Sequence, residues 1–213
     1  MYKLYYWPGN ANLAPHMVLE EIGVDYELIL IDRNKNAHKS PEYLELNPSG
    51  RIPTLIDGDL VLFETAAICL HLADRHPDAG LAPALGSIGR AEFYKWLIYL
   101  TNTLQTEILT YYYPDRLTDD DSATAQVKKH AEERIGGMLD IIDKVLRKNG
   151  GPYLLGDHYS VADPYLLMLS RWTRTLHNPA RDRDHLGRFL EIIADRPAVR
   201  RAHAGEGLEP PFF

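Results

Sequence analysis

The first eighty residues alternate between strand-like and helix-like patterns, and this order restricts the possible folds more than any other feature. Six segments carry it, in chain order: "YKLYYW", "APHMVLEEIG", "YELILID", "SPEYLEL", "IPTLID" and "LVLFE". The first helix closes at Gly23, and the second begins with Ser40 as N-cap and Pro41 at its first position. With a closing helix that ends before Pro77, the predicted order is β-α-β-α-β-β-α.

A sheet built in this order must contain both parallel and antiparallel strand pairs. The βαβ crossover makes parallel neighbours, whereas the tight "DGD" turn between the last two strands makes antiparallel ones. We therefore predict an α/β layer of the thioredoxin-like kind over residues 1–76.

The sequence changes character after this layer. The segment "HPDAGLAPALGS" is rich in Pro, Gly and Ala without periodicity, which predicts a linker at residues 77–86. No convincing strand follows Ser87, and several segments have helical spacing and length. We expect residues 87–213 to form an all-α helical bundle.

Composition excludes several classes of function. The chain has 213 residues, 45% of them hydrophobic and 25% charged, which is ordinary for a globular protein. A formal net charge of -7 argues against a nucleic-acid partner. The single Cys69 cannot form an intramolecular disulfide, and neither a signal peptide nor a bilayer-spanning window is visible. We expect a cytoplasmic protein with a small-molecule ligand and no membrane partner.

The segment "NPSGRIPTL" is the first that could carry chemistry. A cis Ile52–Pro53 bond would turn the backbone N–H and C=O of Ile52 outward, ready to bind an extended peptide like an added strand. The alternative is a trans proline that starts an edge strand, and only about 5–6% of X–Pro bonds are cis.

Two further segments begin helices. Thr65, after Glu64, can cap a helix whose N–H groups would face a carboxylate, while an acidic side chain beside it could pair with an amino group. The alternative is a plain cap without a ligand. Ser160 and Asp163 form an S-x-x-D box before an apolar run, and we interpret this box as structural.

The opening stretch "YYWPGNANLAPH" lacks the expected nucleophile. Between Gly9 and Leu13 lie only Asn10, Ala11 and Asn12, with no thiol or hydroxyl group. The turn therefore offers backbone N–H groups at a helix start but no nucleophile of its own.

Taken together, these segments resemble the cytosolic glutathione S-transferases along the whole chain. "NPSGRIPTL" is similar to the family's cis-proline segment, "FETAAICLHLAD" to its glutathione-carboxylate motif, and "GDHYSVADPYL" to its helix-capping motif. The opening stretch is most similar to the bacterial beta class. Ala11 stands where that class often has cysteine, and Asn12 stands at the serine that follows.

The resemblance implies glutathione as co-substrate, no metal, and a homodimer. It implies that Asn10, Asn12 and the N–H groups around Ala11 hold the glutathione thiolate, with Tyr6 as a competing donor. The implied glutathione-binding residues are Lys35, Arg51, Ile52, Pro53, Glu64, Thr65, Asn102 and Gln105. The implied electrophile pocket contains Trp7, Pro8, Tyr111, Tyr112 and Trp172.

Three activities fit this resemblance. The leading one is conjugation of glutathione to an electrophilic, partly apolar small molecule. The alternatives are a non-catalytic protein that binds glutathione or hydrophobic ligands, and a glutathione-dependent peroxidase or disulfide reductase without a protein thiol. A disulfide reductase that uses the protein's own cysteine is disfavoured, because Cys69 lies on the apolar side of a helix.

Overall fold

A computed structural model describes all 213 residues and contains the predicted mixed sheet. The elements of its first part are β1 (Tyr2–Tyr6), α1 (Leu13–Ile22), β2 (Tyr26–Leu30), α2 (Pro41–Leu46), β3 (Thr54–Asp57), β4 (Leu60–Phe63) and α3 (Thr65–Arg75). The strand order is β2-β1-β3-β4, with β1 parallel to β2 and both other pairs antiparallel. This confirms the thioredoxin-like prediction.

Local signals in the sequence set the ends of these elements. The Ser40 hydroxyl accepts a hydrogen bond from the backbone N–H of Tyr43 at 3.3 Å, and Pro41 is the first residue of α2. Gly58 has a φ of 60° in the two-residue turn between β3 and β4. These ends lie where the sequence predicted them because capping and turn chemistry are local.

The second part of the chain is helical, as predicted. Its elements are α4 (Ile88–Ile98), a π-helical segment (Tyr99–Gln105), α5 (Thr106–Tyr112), α6 (Asp121–Asn149), α7 (Ala162–Trp172) and α8 (Asp184–Ala194). The sequence predicted one long helix where α4, the π-helical segment and α5 follow one another. No helix, the 29-residue α6 included, is long and apolar enough to cross a membrane; the cytoplasmic location stays a prediction.

The box before α7 has the structural role that the sequence indicated. Asp163 is fully buried, and its carboxylate accepts hydrogen bonds from the backbone N–H groups of Ser160 at 2.7 Å and Leu154 at 2.8 Å. The Ser160 hydroxyl in turn accepts from the N–H of Ala162 at 3.3 Å. Asp163 therefore satisfies donors that would otherwise be buried without partners.

A last helix, α9 (Pro197–Gly205), was not predicted from the sequence. It packs against α1, so residues Ala194–Phe212 form one compact unit with Met1–Ala82, and Pro83–Ile193 form another with Phe213. The sequence had placed the whole of 87–213 in the helical domain. The difference arises because the partners of α9 lie almost two hundred residues earlier in the chain.

Candidate functional site

The register of the sheet gathers four loop segments at one end of the first unit. Tyr5 pairs with Thr54, which pairs with Phe63, while Tyr6 pairs with Leu30 in the parallel direction. The residues that follow β1, β2 and β4 and those that precede β3 therefore lie at the same end of the sheet. We call these segments the loop cluster: Trp7–Asn12, Asp32–Lys35, Arg51–Pro53 and Glu64–Thr65.

The Ile52–Pro53 bond is cis, which answers the alternative left open by the sequence. The N–H and C=O of Ile52 have no hydrogen-bond partner, although its side chain is buried. The preceding carbonyl of Arg51 is held by the Tyr43 hydroxyl at 2.7 Å and by the Asn47 amide at 2.9 Å. This segment therefore presents an open donor and acceptor from a fixed backbone.

The start of α3 differs from the prediction. Glu64, not Thr65, is the N-cap residue, and Thr65 is the first residue of the helix. Glu64 has φ 72° and ψ 111° and makes no side-chain capping bond. A non-glycine residue in such a conformation costs on the order of 1–3 kcal/mol, which is typical of ligand-binding positions. The exposed Glu64 carboxylate and the first N–H groups of α3 are both open to a ligand.

The side chain of Asn12 has a role other than the predicted one. It is fully buried; its Oδ1 accepts from the N–H of Trp7 at 3.1 Å, and its Nδ2 donates to Glu206 Oε1 at 2.8 Å. The other carboxylate oxygen of Glu206 accepts from the N–H of Gly9 at 2.8 Å. Asn12 therefore closes the turn instead of meeting a ligand, which corrects the prediction that its amide holds a thiolate.

Asn10 is arranged differently from Asn12. Its side-chain Oδ1 accepts from the N–H of Ala11 at 2.9 Å, so the predicted Ala11 donor is already engaged. Its Nδ2 has no hydrogen-bond partner, and the residue is half-buried. The Tyr6 hydroxyl, also half-buried, has none either. Asn10 and Tyr6 are thus the predicted donors that remain available in the loop cluster.

Glu206 is part of a buried chain of hydrogen bonds that the sequence did not reveal. His16, fully buried, donates from Nδ1 to Glu206 Oε1 at 2.9 Å, and its Nε2 lies 2.9 Å from the Tyr26 hydroxyl. Tyr26 donates its only proton to Glu20. The contacts therefore run without a break from Glu206 through His16 and Tyr26 to Glu20.

At the Glu20 end of this series of hydrogen bonds, burial and hydrogen bonding shift the pKa values of two side chains. Burial alone would raise the pKa of Glu20, but hydrogen bonds from Tyr26 and Arg201 outweigh burial and hold that pKa below its usual value. Burial, followed by the hydrogen bond to Glu20, raises the pKa of the Tyr26 hydroxyl. Glu20 therefore stays an anion and Tyr26 keeps its proton, so Tyr26 remains the hydrogen-bond donor to Glu20.

The basic residues near the loop cluster differ in how they are held. Lys35 has a side chain that is 84% exposed, with its Nζ 3.4 Å from Asp32. Arg51 is exposed. Lys39, which the sequence did not indicate, donates from Nζ to the carbonyl of Ser49 at 3.2 Å, two residues before Arg51 in the chain. A Cβ at Gly50 would lie only 2.6 Å from this Nζ.

The predicted residues of the helical unit fall into two groups. Asn102 is exposed and Gln105 half-buried in the π-helical segment, where Gln105 Oε1 accepts from the Tyr165 hydroxyl. Such π-helical turns occur frequently at functional sites. Tyr112 and Trp172 are brought together, because the Tyr112 hydroxyl donates to the Trp172 carbonyl at 2.5 Å.

The remaining predicted residues divide between buried and accessible positions. Tyr111 is buried, with Lys128 Nζ 4.5 Å from its ring centroid. Trp7 and Pro8 are half-buried beside the Asn12 turn of the first unit. Cys69 is fully buried, and burial raises the pKa of its thiol, so it is not a reactive thiolate.

We expect Glu206→Gln to destabilise the first unit by about 3 kcal/mol, because an amide places a donor against groups that already donate. Urea unfolding measures the loss, and hydrogen exchange should show the Gly9 amide opening faster. The matched control is Glu209→Gln, an exposed position three residues later. Equal stabilities of the two variants would contradict the central place of Glu206.

Comparison with known proteins agrees with this geometry. Residues 1–74 match the family model "Glutathione S-transferase, N-terminal domain", and residues 102–201 match "Glutathione S-transferase, C-terminal domain". Glutathione S-transferase 3 of Zea mays is 34% identical over 220 residues, covering 98% of this chain and 96% of that protein.

Two solved structures have similar folds along the chain. A glutathione transferase homologue from Sulfitobacter with bound glutathione has a TM-score of 0.89 at 26% identity, covering 98% of this chain and 99% of that one. A beta-class enzyme from Sphingomonas chungbukensis has a TM-score of 0.83 at 31% identity, covering 97% and 100%. The resemblance noted in the sequence is thereby confirmed, and the chain belongs to the glutathione S-transferase family.

Proposed function

We propose that the protein binds glutathione at the loop cluster, holds its thiol as a thiolate and transfers it to an electrophilic, partly apolar small molecule. The observation that supports this most directly is the register of the sheet. This register places the unpaired backbone of Ile52 and the open start of α3 at the same end of the sheet as the half-buried Asn10. A tripeptide with a carboxylate and an ammonium group at one end matches these groups.

Each part of glutathione has a complementary partner in the loop cluster. The Ile52 N–H and C=O, next to Pro53, would pair with the cysteinyl backbone like an added strand. Glu64 would bind the γ-glutamyl ammonium group, and Thr65 with the first N–H groups of α3 would bind the adjacent carboxylate. Arg51, with Lys35 or Lys39, would neutralise the glycyl carboxylate.

The energetics of thiol activation are within reach of one or two hydrogen bonds. The thiol starts from a pKa of about 8.5, and lowering that pKa by about two units requires ~2.7 kcal/mol of preferential thiolate stabilisation. A hydrogen bond to a charged group contributes about 1.5–3 kcal/mol. Asn10 Nδ2 is the first donor we assign, and the Tyr6 hydroxyl is the second.

The reaction itself needs no nucleophile from the protein. The thiolate forms a carbon–sulfur bond to an electrophilic carbon, and the leaving group, such as chloride, departs with the electron pair of its own bond. Within the first unit, we assign contacts to the electrophile to Trp7 and Pro8. The roles that the resemblance implies for Tyr112, Trp172, Asn102 and Gln105 of the second unit stay predictions.

The experiment that tests this function measures glutathione binding together with conjugation to 1-chloro-2,4-dinitrobenzene. We expect Asn10→Ala to raise the pKa of the bound thiol by about one unit and, through the smaller thiolate fraction, to lower kcat/KM about threefold at neutral pH. Ultraviolet absorbance of the thiolate reports this pKa. Asn178→Ala, an exposed asparagine of the other unit, is the control and should leave both quantities unchanged.

The same experiment separates the alternatives. Glutathione binding without conjugation in the unmodified protein would favour a binding protein over an enzyme. If Asn10→Ala leaves the pKa of the bound thiol unchanged while Tyr6→Phe raises it, the tyrosine is the donor and our assignment of Asn10 is wrong.

Restoring a thiol at position 11 should add a reaction that the present chain lacks. Ala11→Cys places a sulfur beside the proposed thiolate position, and its thiolate would attack glutathione disulfide, forming a mixed disulfide and releasing one glutathione. Mass spectrometry should show one glutathionyl adduct on the variant. The unmodified protein should show none, because its only cysteine, Cys69, is buried.

We also propose that two copies of the chain form a homodimer. The edge strand β4 exposes Leu60 at 42%, Val61 at 39% and Phe63 at 38%, and α4 exposes Ile98 at 57%. Apolar side chains on an unpaired edge strand favour association. Sedimentation should give about twice the chain mass of 24.2 kDa, and Phe63→Glu should shift it toward one chain. A protein that sediments as a monomer would refute this assembly.

A further inference from the structure

We propose that Asn149 is a site of spontaneous deamidation, at which the side-chain amide is lost as ammonia and the loop of residues 150–158 loosens. Asparagine is a chemically labile residue, and of the asparagines in the chain only Asn149 is followed by glycine. Glycine has no side chain to obstruct an attack by its own backbone nitrogen. Asn149 is therefore the asparagine whose neighbour is best able to react with it.

The end of α6 leaves the attacking nitrogen of Gly150 open. Gly150 is the exposed C-cap residue, with a φ of 76°, and its N–H donates no hydrogen bond. The C-cap N–H of Gly23 after α1, in contrast, donates to the carbonyl of Leu19 at 2.9 Å. A backbone nitrogen without an acceptor can lose its proton to solvent and act as a nucleophile.

The side chain of Asn149 is turned toward the backbone that follows it. Its Oδ1 accepts from the N–H of Gly151 at 3.2 Å, and its Nδ2 donates to the carbonyls of Tyr153 at 2.8 Å and Leu154 at 3.2 Å. All three partners lie beyond Gly150 in the chain, so the side-chain amide lies on the side of the backbone that continues into the Gly150 nitrogen. The residue is half-buried, which leaves it within reach of water.

The reaction needs water as its only co-reactant. The Gly150 nitrogen forms a bond to Cγ of Asn149, and the bond from Cγ to Nδ2 breaks. Through solvent, the proton of the Gly150 nitrogen ends on the departing Nδ2, which leaves as ammonia. Water then opens the cyclic succinimide, which yields aspartate when Cγ is attacked and isoaspartate when the main-chain carbonyl is attacked.

Loss of the amide removes the donors that hold the loop. An acid at position 149 has no N–H to offer to the carbonyls of Tyr153 and Leu154, and its negative charge faces those carbonyl oxygens. Tyr153 and Gly156 exchange two backbone hydrogen bonds of 3.0 Å, and the N–H of Leu154 donates to Asp163 at 2.8 Å. The change therefore loosens a loop that leads directly into the start of α7.

Peptide mass spectrometry tests the site after the protein has been held at physiological temperature at neutral and at mildly alkaline pH. The tryptic peptide 149–171 contains no other amide side chain, so its conversion to the acid reports Asn149 alone. We expect conversion to be faster at the higher pH, because the attacking nitrogen must lose its proton. Asn34 and Asn102, exposed asparagines followed by larger residues, are internal controls and should keep their amides. An unchanged peptide 149–171, relative to an unincubated sample digested in the same way, would overturn the proposal.

The variant Asn149→Asp imitates one product and tests the consequence. Hydrogen exchange of the amides in residues 150–158 should be at least about tenfold faster in this variant, because two hydrogen bonds are lost. Asn178→Asp, the same substitution at an exposed asparagine of the same unit, is the matched control and should leave that exchange unchanged. Equal exchange rates in the two variants would show that the amide does not hold the loop.

Discussion

The carboxylate of Glu206 is the interaction on which the candidate site depends. It accepts hydrogen bonds from the Gly9 N–H, the Asn12 amide and the His16 ring, all within 2.9 Å. Loss of this acceptor would leave buried donors unpaired at a cost of about 1–3 kcal/mol for each. The turn after β1 and the residues after α9 therefore hold one another in place, and the position of Asn10 follows from that turn.

The sequence predicted what local chemistry determines. Turn glycine, proline at the first helical position, capping serine and the S-x-x-D box each act within four residues, and the strand order follows from the connections between them. Glu206 carries no such signal, because its partners are between 190 and 197 residues away. A glutamate between two glycines near the end of a chain ordinarily indicates a solvated turn, and only the packing of α9 on α1 shows otherwise.

The two departures from the predicted helices have a common physical origin. Statistics of capping favour Thr65 over Glu64, yet the backbone of Glu64 turns to φ 72°, which moves the start of the helix by one residue. The π-helical segment was likewise missed, because its apolar spacing fits an ordinary helix. Both departures lie at residues that the family resemblance assigned to glutathione. Strain and irregular helices accumulate where a ligand, rather than the chain, supplies the missing partners.

Two asparagines that look equivalent in "NANLAPH" have opposite roles in the turn that contains them. Asn12 points inward and is fixed by Trp7 and Glu206, whereas Asn10 keeps its Nδ2 free. A donor stabilises a developing charge best when its position does not have to change during the reaction. In the function that we propose, the buried asparagine therefore provides the rigidity and the half-buried one the contact to the thiolate, while glutathione itself brings the sulfur.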